Sequence, residues 1–327
     1  MSNDLLEPFQ RLLDDVSPPE AVRRTENEDG APAIWAALRD SGFVDALVSE
    51  EHGGAGLSPA EMAPLLIAAG RHLLPLPFGE TMAARAIAAG AGHRLEDAGP
   101  VLLWPLDREG RARSIVPPIR GGADLALVQQ AGRATLRRVV AGGRDGFGFV
   151  TAALDTGSAP IASFELAEDS LLYWAAALTV AAMAGAMAGV LDMSIAYVNE
   201  RQQFGRPLGK FQAIQQQISV MAERVAMASV AAQGVLARPL PGPAALDVAV
   251  AKPVIDAGAS IVCAAGHAAF GAIGITAEHD LSLFTRRLKR GLLAFGGAQP
   301  WAKALGRARL AQAGGTSVDF IRALQHG

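Results

Sequence analysis

The sequence predicts a mainly α-helical protein with one small β region in its middle. Half of the residues are apolar but only 6% are aromatic, so the apolar content is mostly Ala, Leu and Val, which suits packed helices. Helical periodicity covers both ends of the chain and disappears between them. We therefore expect a helical N-terminal domain over residues 1–98, a short β middle domain over 99–165 and a C-terminal helical bundle over 166–327.

Composition excludes several classes of protein. The net charge of −3 argues against a nucleic-acid binder, which is normally basic. A single cysteine, Cys263, excludes an internal disulfide framework and a Cys-based zinc cluster, and we interpret it as a small buried apolar residue. The first ten residues lack the basic and apolar segments of a secretion signal, so we expect a cytoplasmic protein.

In the N-terminal region, amphipathic segments alternate with short breaks. Close to the N-terminus, apolar residues recur at helical spacing and predict an amphipathic helix. The polar, Pro-containing residues 17–30 then predict a loop. Gly53, Gly54 and Gly56 predict a tight turn between helices, because no long β run precedes them as a dinucleotide fingerprint requires. Ser58 and Pro59 predict an N-cap and a first turn. Helices are expected at about 4–16, 32–41, 59–70 and 79–90.

The β region begins near Gly99, where short apolar runs replace the helical period. Gly, Pro and Asp separate these runs, as is typical of strands joined by turns. Strands are expected at about 101–104, 125–128, 136–140 and 147–150, with a hairpin turn over 142–146.

From Ser170 the chain is predicted to be helical to its end. Asp169 and Ser170 predict a helix cap, and Pro253 is expected to kink a later helix. Leu171–Leu191 is long enough to span a membrane, but ten of its 21 residues are Ala or Gly, so we interpret it as a buried bundle helix and expect no membrane insertion. Helices are expected at about 170–199, 211–236, 244–269, 279–293 and 299–313.

A basic turn separates the first two helices of the predicted bundle. Its sequence, RQQFGRPLGKFQ over 201–212, has none of the Asn, Asp and Ser that solvent-facing turns favour. It offers guanidinium groups, aromatic rings and glycines instead, which are suited to hold a phosphate and a flat ring.

Three stretches resemble the acyl-CoA dehydrogenases, flavin enzymes that desaturate acyl thioesters between Cα and Cβ. Residues 201–212 are similar to the family signature RxQFGxPLxxFQ, residues 50–58 (EEHGGAGLS) to its PEEYGGxGLS element, and residues 270–287 to its HGGIGFTWEHDLHLYLRR segment. The last of these resembles the short bacterial members used in sterol side-chain degradation. The resemblance implies the same three-part fold, an acyl-CoA substrate and an FAD cofactor.

The resemblance also implies roles for particular residues. The residue matching Arg201 reaches the FAD pyrophosphate, and the one matching Phe204 packs near the adenosine half. Residues matching Gln212, Gly271 and Gly274 approach the cofactor across a subunit interface. Chemically this is reasonable, because a guanidinium grips phosphate and glycine permits close backbone approach. We interpret His267 and His279 as structural.

The sequence departs from the family at the catalytic base, a Glu that removes the α-proton. One usual position falls on Phe295 or Gly296 and the other on Ala257, and none of these side chains accepts a proton. Asp256 is the only acid close by, but it is shorter than Glu and about 100° away around a helix. Asp256 is therefore the candidate base only if Pro253 changes the phase of the helix.

Further family features are missing, which leads to three hypotheses about function. The middle-domain TEPxxGSD element is reduced to Trp104–Asp107, and the β domain is short for the family. First, the chain is a catalytically incomplete subunit of a hetero-oligomer, whose second acyl-CoA dehydrogenase subunit supplies the base. Second, it is a homodimeric or homotetrameric enzyme with Asp256 or another base. Third, it is a non-catalytic scaffold. An enzyme of this type implies an electron-transfer flavoprotein or similar acceptor.

Overall fold

The computed structural model describes residues 2–26, 30–95, 98–312 and 314–326. Within those ranges the chain forms eleven α-helices and seven strands. The helices are α1 (Ser2–Val16), α2 (Pro19–Glu26), α3 (Ala31–Asp40), α4 (Pro59–Arg71), α5 (Phe78–Gly90), α6 (Ser170–Glu200), α7 (Gln212–Val235), α8 (Ala245–Phe270), α9 (Leu281–Gly291), α10 (Ala298–Ala311) and α11 (Ser317–His326). The strands are β1 (Val101–Pro105), β2 (Leu125–Gln130), β3 (Arg133–Arg144), β4 (Val150–Leu154), β5 (Ala162–Glu165), β6 (Gln202–Gln203) and β7 (Arg206–Pro207).

The N-terminal helices form largely where the sequence predicts them. Ser58 caps α4 through a capping box, in which its hydroxyl accepts the backbone N–H of Glu61 and the Glu61 carboxylate accepts the Ser58 N–H at 2.9 Å. The glycine run before α4 forms the expected tight turn. Gly54 shows why glycine is required there, because a Cβ would lie 2.2 Å from the carbonyl oxygen of Val48.

Helix α2 corrects the prediction of a loop over residues 17–30. Its first residue is Pro19, whose fixed φ suits the first turn of a helix. The segment looks polar because five of its eight residues are charged or hydroxyl-bearing, but Ala21, Val22 and Thr25 are buried and Glu26 pairs with arginines of α9. With few apolar positions in so short a helix, the helical period could not be recognised in the sequence. The prediction for residues 27–29 lies outside the described residues.

The sheet has the order β1-β2-β3-β4, and β5 also pairs with β3. β1 and β2 are parallel, and the other pairs are antiparallel. β3 is long enough to pair with β2 and β5 through its first half and with β4 through its second. The register shifts between Ala141 and Arg144, as expected at a β-bulge, which bends a strand.

This bulge corrects the predicted hairpin turn. Residues 142–144 continue β3, and the chain reverses only over 145–149, so that β4 begins at Val150 rather than at 147. Asp145 fixes the reversal by accepting the backbone N–H groups of Phe147 and Phe149. β5 was not predicted, because Ala162–Glu165 is short and half exposed.

Helix α6 lies at the centre of the C-terminal bundle and packs against α4, α7, α8 and α9. Its 31 residues span about 46 Å, and 18 of them are buried. Asp169 precedes it in a left-handed conformation and makes no side-chain cap, contrary to the prediction. α8 passes Pro253 without a break, and α11 is a further helix beyond the predicted ones.

Within the part of the chain that the structure describes, two helices are long and apolar enough to cross a membrane by length and composition alone, namely α6 and the segment Ala245–Ile275. Within their most apolar windows, 78% and 61% of the residues are buried inside the protein. Both therefore serve as core helices of the bundle. One large hydrophobic core joins the N-terminal helices, the sheet and the bundle, and a smaller one lies on the other side of the sheet.

Candidate functional site

The basic stretch 201–212 forms a small hairpin at the end of α6. β6 and β7 pair through Gln202 with Pro207 and Gln203 with Arg206, and Phe204 and Gly205 form the tip. Both tip residues have positive φ, 52° and 79°, as a two-residue type I′ turn requires. A bulky aromatic residue rarely adopts this conformation, and Phe204 is also 90% exposed. A strained, exposed aromatic side chain is an indication of function rather than of folding.

Cations surround this hairpin. Arg201 is exposed at the C-cap of α6, and its side chain makes no ion pair or hydrogen bond with a described residue. The Arg206 guanidinium lies 4.1 Å from the centroid of the Phe211 ring, in a cation–π contact. Gln212 is the exposed first residue of α7, so its position adds the positive end of a helix dipole. The hairpin is therefore suited to an anionic group.

The loop after α8 lies at the same end of the bundle. The Tyr197 ring, near the end of α6, lies 4.4 Å from the Phe270 ring, which ends α8. Gly271 follows with a φ of 62° and open space around its Cα, so a ligand can approach its backbone. Gly274 is buried, and a Cβ there would lie 2.8 Å from the Cβ of Phe270, so its glycine is required by packing. The structure thus brings four predicted residues to one exposed surface and places Gly274 beneath it.

Asp256 lies elsewhere, inside the bundle on α8. Its Oδ1 accepts a hydrogen bond from Lys252 Nζ at 2.6 Å, and the same ammonium donates to the carbonyl of Gly291 at 3.0 Å. Lys252 is fully buried and Asp256 is 6% exposed. Burial raises the pKa of Asp256, and the Lys252 charge offsets that rise in part. Fourteen helical residues separate Asp256 from Phe270, which corresponds to about 21 Å.

A cavity of about 240 Å³ lies where the N-terminal helices, the β region and the bundle meet. Its walls are formed by α4, α5, α6, α9 and the segments 73–77 and 114–121. Phe295, one of the two residues at the family's base position, contributes to its wall, whereas Asp256 does not. The other family position, Ala257, is exposed on the outside of α8.

The cavity contains a carboxyl group that sequence analysis missed. Glu80, in the first turn of α5, contributes to the wall, and its Oε2 accepts the backbone N–H of Leu103 at 2.8 Å. Burial raises the pKa of Glu80 to about 7, and the Leu103 N–H and the Arg290 charge limit the rise. The sequence did hold a signal for Glu80. In the Ala-rich, apolar helix 78–90 it is the one acidic residue, and the one other charged residue is Arg85.

Arginines from α9 join the parts of the protein around this cavity. Arg290 pairs with Asp145 at 2.7 Å and donates to the carbonyl of Pro117, which links the bundle to the β region. Arg286 and Arg287 both pair with Glu26, at 2.6 and 3.4 Å, which links it to α2. Arg287 and Arg290 also form part of the cavity wall.

An apolar strip covers the outer side of α8. Its members are spaced alternately four and three residues apart and contain no charge, namely Val250, Val254, Ala257, Ile261, Ala264 and Ala268. All but the half-buried Val254 are exposed. α7 likewise exposes Val220, Met227 and Val230 and buries only four of its 24 residues. Such faces on two neighbouring helices are typical of a protein–protein interface.

The residues present fit one half of a flavin dinucleotide. An unpaired Arg201, an exposed Phe204 ring and an open Gly271 backbone suit a pyrophosphate and an adenine on the surface. The reacting half is not matched, because Phe295 and Ala257 provide no base.

Comparison with known proteins agrees with the resemblance that the sequence motifs indicate. The family model "Acyl-CoA dehydrogenase, C-terminal domain" matches residues 164–313. Acyl-CoA dehydrogenase IpdE2 of Mycolicibacterium smegmatis is 31% identical over 295 residues, which cover 86% of this chain and 90% of the relative.

Solved structures extend the likeness to the fold. The ChsE4–ChsE5 complex of Mycobacterium tuberculosis contains a chain with a TM-score of 0.82 and 20% identity, and the match covers 96% of this chain and 98% of that one. The Tcur3481–Tcur3483 steroid ACAD has a TM-score of 0.79 and 22% identity, with 94% and 98% covered.

Proposed function

This chain belongs to the acyl-CoA dehydrogenase family, and we propose that it takes part in FAD-dependent α,β-desaturation of an acyl-CoA thioester as a catalytically incomplete subunit. Its partner in this proposal is a second, unlike acyl-CoA dehydrogenase subunit, which supplies the base. FAD, when bound, supplies the acceptor for the β-hydride. An electron-transfer flavoprotein or similar acceptor would then reoxidise the complex in the cytoplasm.

One observation carries the proposal: the groups for a nucleotide are exposed on the surface, while the base positions carry no carboxylate. Arg201 and Phe204 project from the hairpin at the end of the bundle. Phe295 lines the cavity and Ala257 lies on the outside of α8, and neither side chain takes a proton. Because this chain offers groups for the nucleotide and no base, these features support a subunit whose hairpin binds the nucleotide half of a flavin. The reacting half of that flavin lies on the partner.

In this proposal each hairpin residue has a separate role. The Arg201 guanidinium donates charge-assisted hydrogen bonds to the pyrophosphate. The Phe204 ring packs against the adenosine half, and its rare backbone conformation keeps it exposed for that contact. Gln212 offers a side-chain amide at the start of α7, and the Gly271 backbone allows close approach. Gly274 supports the loop beneath them.

The apolar strip of α8 supports the partner. Its six uncharged residues would remain in water in an isolated chain, and an interface would bury them. Among the proteins of the same fold, one comes from a complex of two differently named proteins, ChsE4 and ChsE5. An unlike partner therefore accounts for both the apolar strip and the missing base.

The proposal of a self-sufficient homomer with Asp256 as its base has less support. The ion pair with Lys252 already engages the Asp256 carboxylate, and the side chain is absent from the cavity wall. A non-catalytic scaffold would leave the unpaired Arg201 and the exposed Phe204 without a role.

Flavin content tests the proposal. The chain is expressed alone and together with the product of the neighbouring open reading frame, and the visible spectrum of each purified product is recorded. We expect a yellow complex only from co-expression, and Arg201→Gln should weaken its FAD affinity about 10- to 100-fold, because a charged hydrogen bond contributes about 1.5–3 kcal/mol.

The matched control is Arg307→Gln, which removes an exposed arginine on α10 and should leave the flavin content unchanged. A yellow product from this chain alone that oxidises acyl-CoA with a dye acceptor would rule out the incomplete subunit. Colourless products from both preparations would favour the scaffold.

A further inference from the structure

The loop Gly271–Ile275, which follows α8, has little apolar anchoring. Ile273 and Ile275 are 49% and 78% exposed, so neither side chain fixes the loop to the core. Gly274 is buried against Phe270, but it brings no side chain of its own. A segment with few buried apolar contacts opens easily, so the polar contacts beside this loop matter for its conformation.

His267 makes such a contact from the last turn of α8. Its Nε2 lies 3.2 Å from Thr285 Oγ1 on α9, the first α-helix after the loop. Thr285 is buried, and the loop lies between these two residues in the sequence, so their hydrogen bond joins the helices on either side of it. The His267 carbonyl also accepts the N–H of Gly271, the first residue of the loop. His267 therefore holds the loop through both its ring and its backbone.

The same ring contains an unsatisfied polar atom. Its Nδ1 is buried and has no hydrogen-bond partner among the described residues. The neutral imidazole suits this environment better than the imidazolium, because the charged ring carries an N–H on both nitrogens and an unpaired charge is costly to bury. Burial accordingly lowers the pKa of His267, the Lys289 charge lowers it further, and the Gly274 backbone opposes them in part.

Few titratable groups surround this ring. Among the described residues, Lys289 of α9 is the charged group that acts on it. On α8 itself, Cys263 lies one turn earlier and is neutral, because burial raises its pKa to about 11. From α6, the uncharged Ser194 reaches this part of α8. Beyond the loop, the ring of His279 packs against Phe270, which makes His279 the second titratable group that an experiment has to control.

We propose that His267 is the positioning residue of the 271–275 loop: its neutral ring holds the Gly271 backbone in the arrangement that faces the flavin, and protonation of the ring releases the loop. The flavin part of this inference rests on the proposed function, whereas the link between His267 and the loop is a property of this chain alone. A histidine that regains its ordinary pKa of 6.5 when the loop opens makes opening easier as the pH falls. The loop should therefore be held above about pH 6.5 and open more readily below it.

Hydrogen exchange of the purified chain, followed by mass spectrometry and corrected for the intrinsic effect of pH, tests the link without flavin. From about pH 7.5 to about pH 5.5, amides in residues 271–276 should exchange up to about tenfold faster, because one proton is taken up on opening. In His267→Gln the side-chain amide can still bond to Thr285 but does not titrate, so protection should persist and lose this pH dependence. In His267→Leu the loop should exchange faster at both pH values.

His279→Asn is the matched control. Its side-chain oxygen can accept the Leu281 N–H as the His279 ring does, but it does not titrate, so the native pH dependence should remain. Circular dichroism checks that each variant is folded. Loop exchange unaffected by His267→Leu would overturn the proposal. So would a pH dependence that persists in His267→Gln and disappears in His279→Asn.

Titration of the co-expressed complex with FAD adds a second readout. His267→Leu should weaken FAD affinity about tenfold at about pH 7.5, the equivalent of one hydrogen bond, and His267→Gln should largely retain it. Equal FAD affinity of the native and His267→Leu complexes would overturn the positioning role, even where the loop exchange responds. A complex without flavin contradicts the proposed function instead, and hydrogen exchange then still decides whether His267 holds the loop.

Discussion

At the scale of single residues, Lys252 and Asp256 form a buried ion pair inside the bundle. The two residues are one helical turn apart on α8, and both are almost completely buried. Burial lowers the pKa of Lys252 and raises that of Asp256, while each partner's charge opposes the shift. The spacing of four is visible in the sequence, but the burial that gives it importance arises only when α10 and the 291–297 loop pack over it.

Breaking this pair should destabilise the protein strongly. Lys252→Met leaves the Asp256 carboxylate buried and unpaired, so we expect the free energy of unfolding at neutral pH to fall by about 3–5 kcal/mol. Urea denaturation of the purified chain measures it. The double variant Lys252→Met with Asp256→Leu, which removes both charges, should recover much of the loss. A double variant as unstable as the single one would contradict the account.

Local motifs were predictable from sequence to the degree that their chemistry is local. The N-cap at Ser58 needs only neighbouring residues and formed as expected, and the structure adds Glu61, which completes a capping box. The hairpin at 201–212 was located by its composition, but the left-handed Phe204 that shapes it was not. Glu80 was missed because its significance depends on walls from four helices and the β region. Contacts between segments that are distant in the chain cannot be predicted from a single sequence.

At the scale of elements, the apolar strip of α8 makes the assembly testable. Ile261 lies in the middle of the strip and is 36% exposed. Ile261→Glu places a charge where an interface would exclude water, so the co-expressed complex should dissociate, with a loss of affinity of about 100-fold or more. Size-exclusion chromatography with light scattering measures the mass. The fold of the isolated chain should be retained, because the helix face is already accessible to solvent.

The control for this prediction is Leu310→Glu, which adds the same charge at an 87% exposed residue of α10 outside the strip. It should leave the complex intact. If both variants dissociate equally, the effect comes from net charge rather than from the strip. If neither does, α8 is not the interface.

At the scale of the whole molecule, the three-part arrangement was predictable because periodicity and composition change sharply along the chain. The helical ends and the central strands were recognised, and the core that joins them follows from their apolar faces. The way α9 connects the parts was not predictable, because Arg286 and Arg287 meet Glu26 about 260 residues away. These ion pairs and the cavity beside them are properties of the complete fold.

The cavity should also impose a pH dependence on the stability of the whole protein. Burial raises the pKa of Glu80 from its ordinary 4.5 to about 7 in the folded state, so the folded protein retains a proton that the unfolded chain releases. The stabilising contribution is complete below about pH 4.5 and is lost as the pH rises to about 7. The difference corresponds to about 3 kcal/mol. His267, whose pKa is lowered by burial, acts in the opposite direction as the pH falls, so the native curve alone does not isolate Glu80.

Glu80→Gln isolates it, because the amide oxygen still accepts the Leu103 N–H but does not titrate. Urea denaturation at about pH 5 and about pH 8 should show similar stability for the two proteins at the lower pH. At the higher pH, the variant should be more stable by up to about 3 kcal/mol. Glu168→Gln is the control, because Arg108 lowers the pKa of that exposed carboxyl and the sign is therefore reversed. A difference between native chain and Glu80→Gln that stays constant with pH would show that Glu80 is not the buried, proton-retaining group of the cavity.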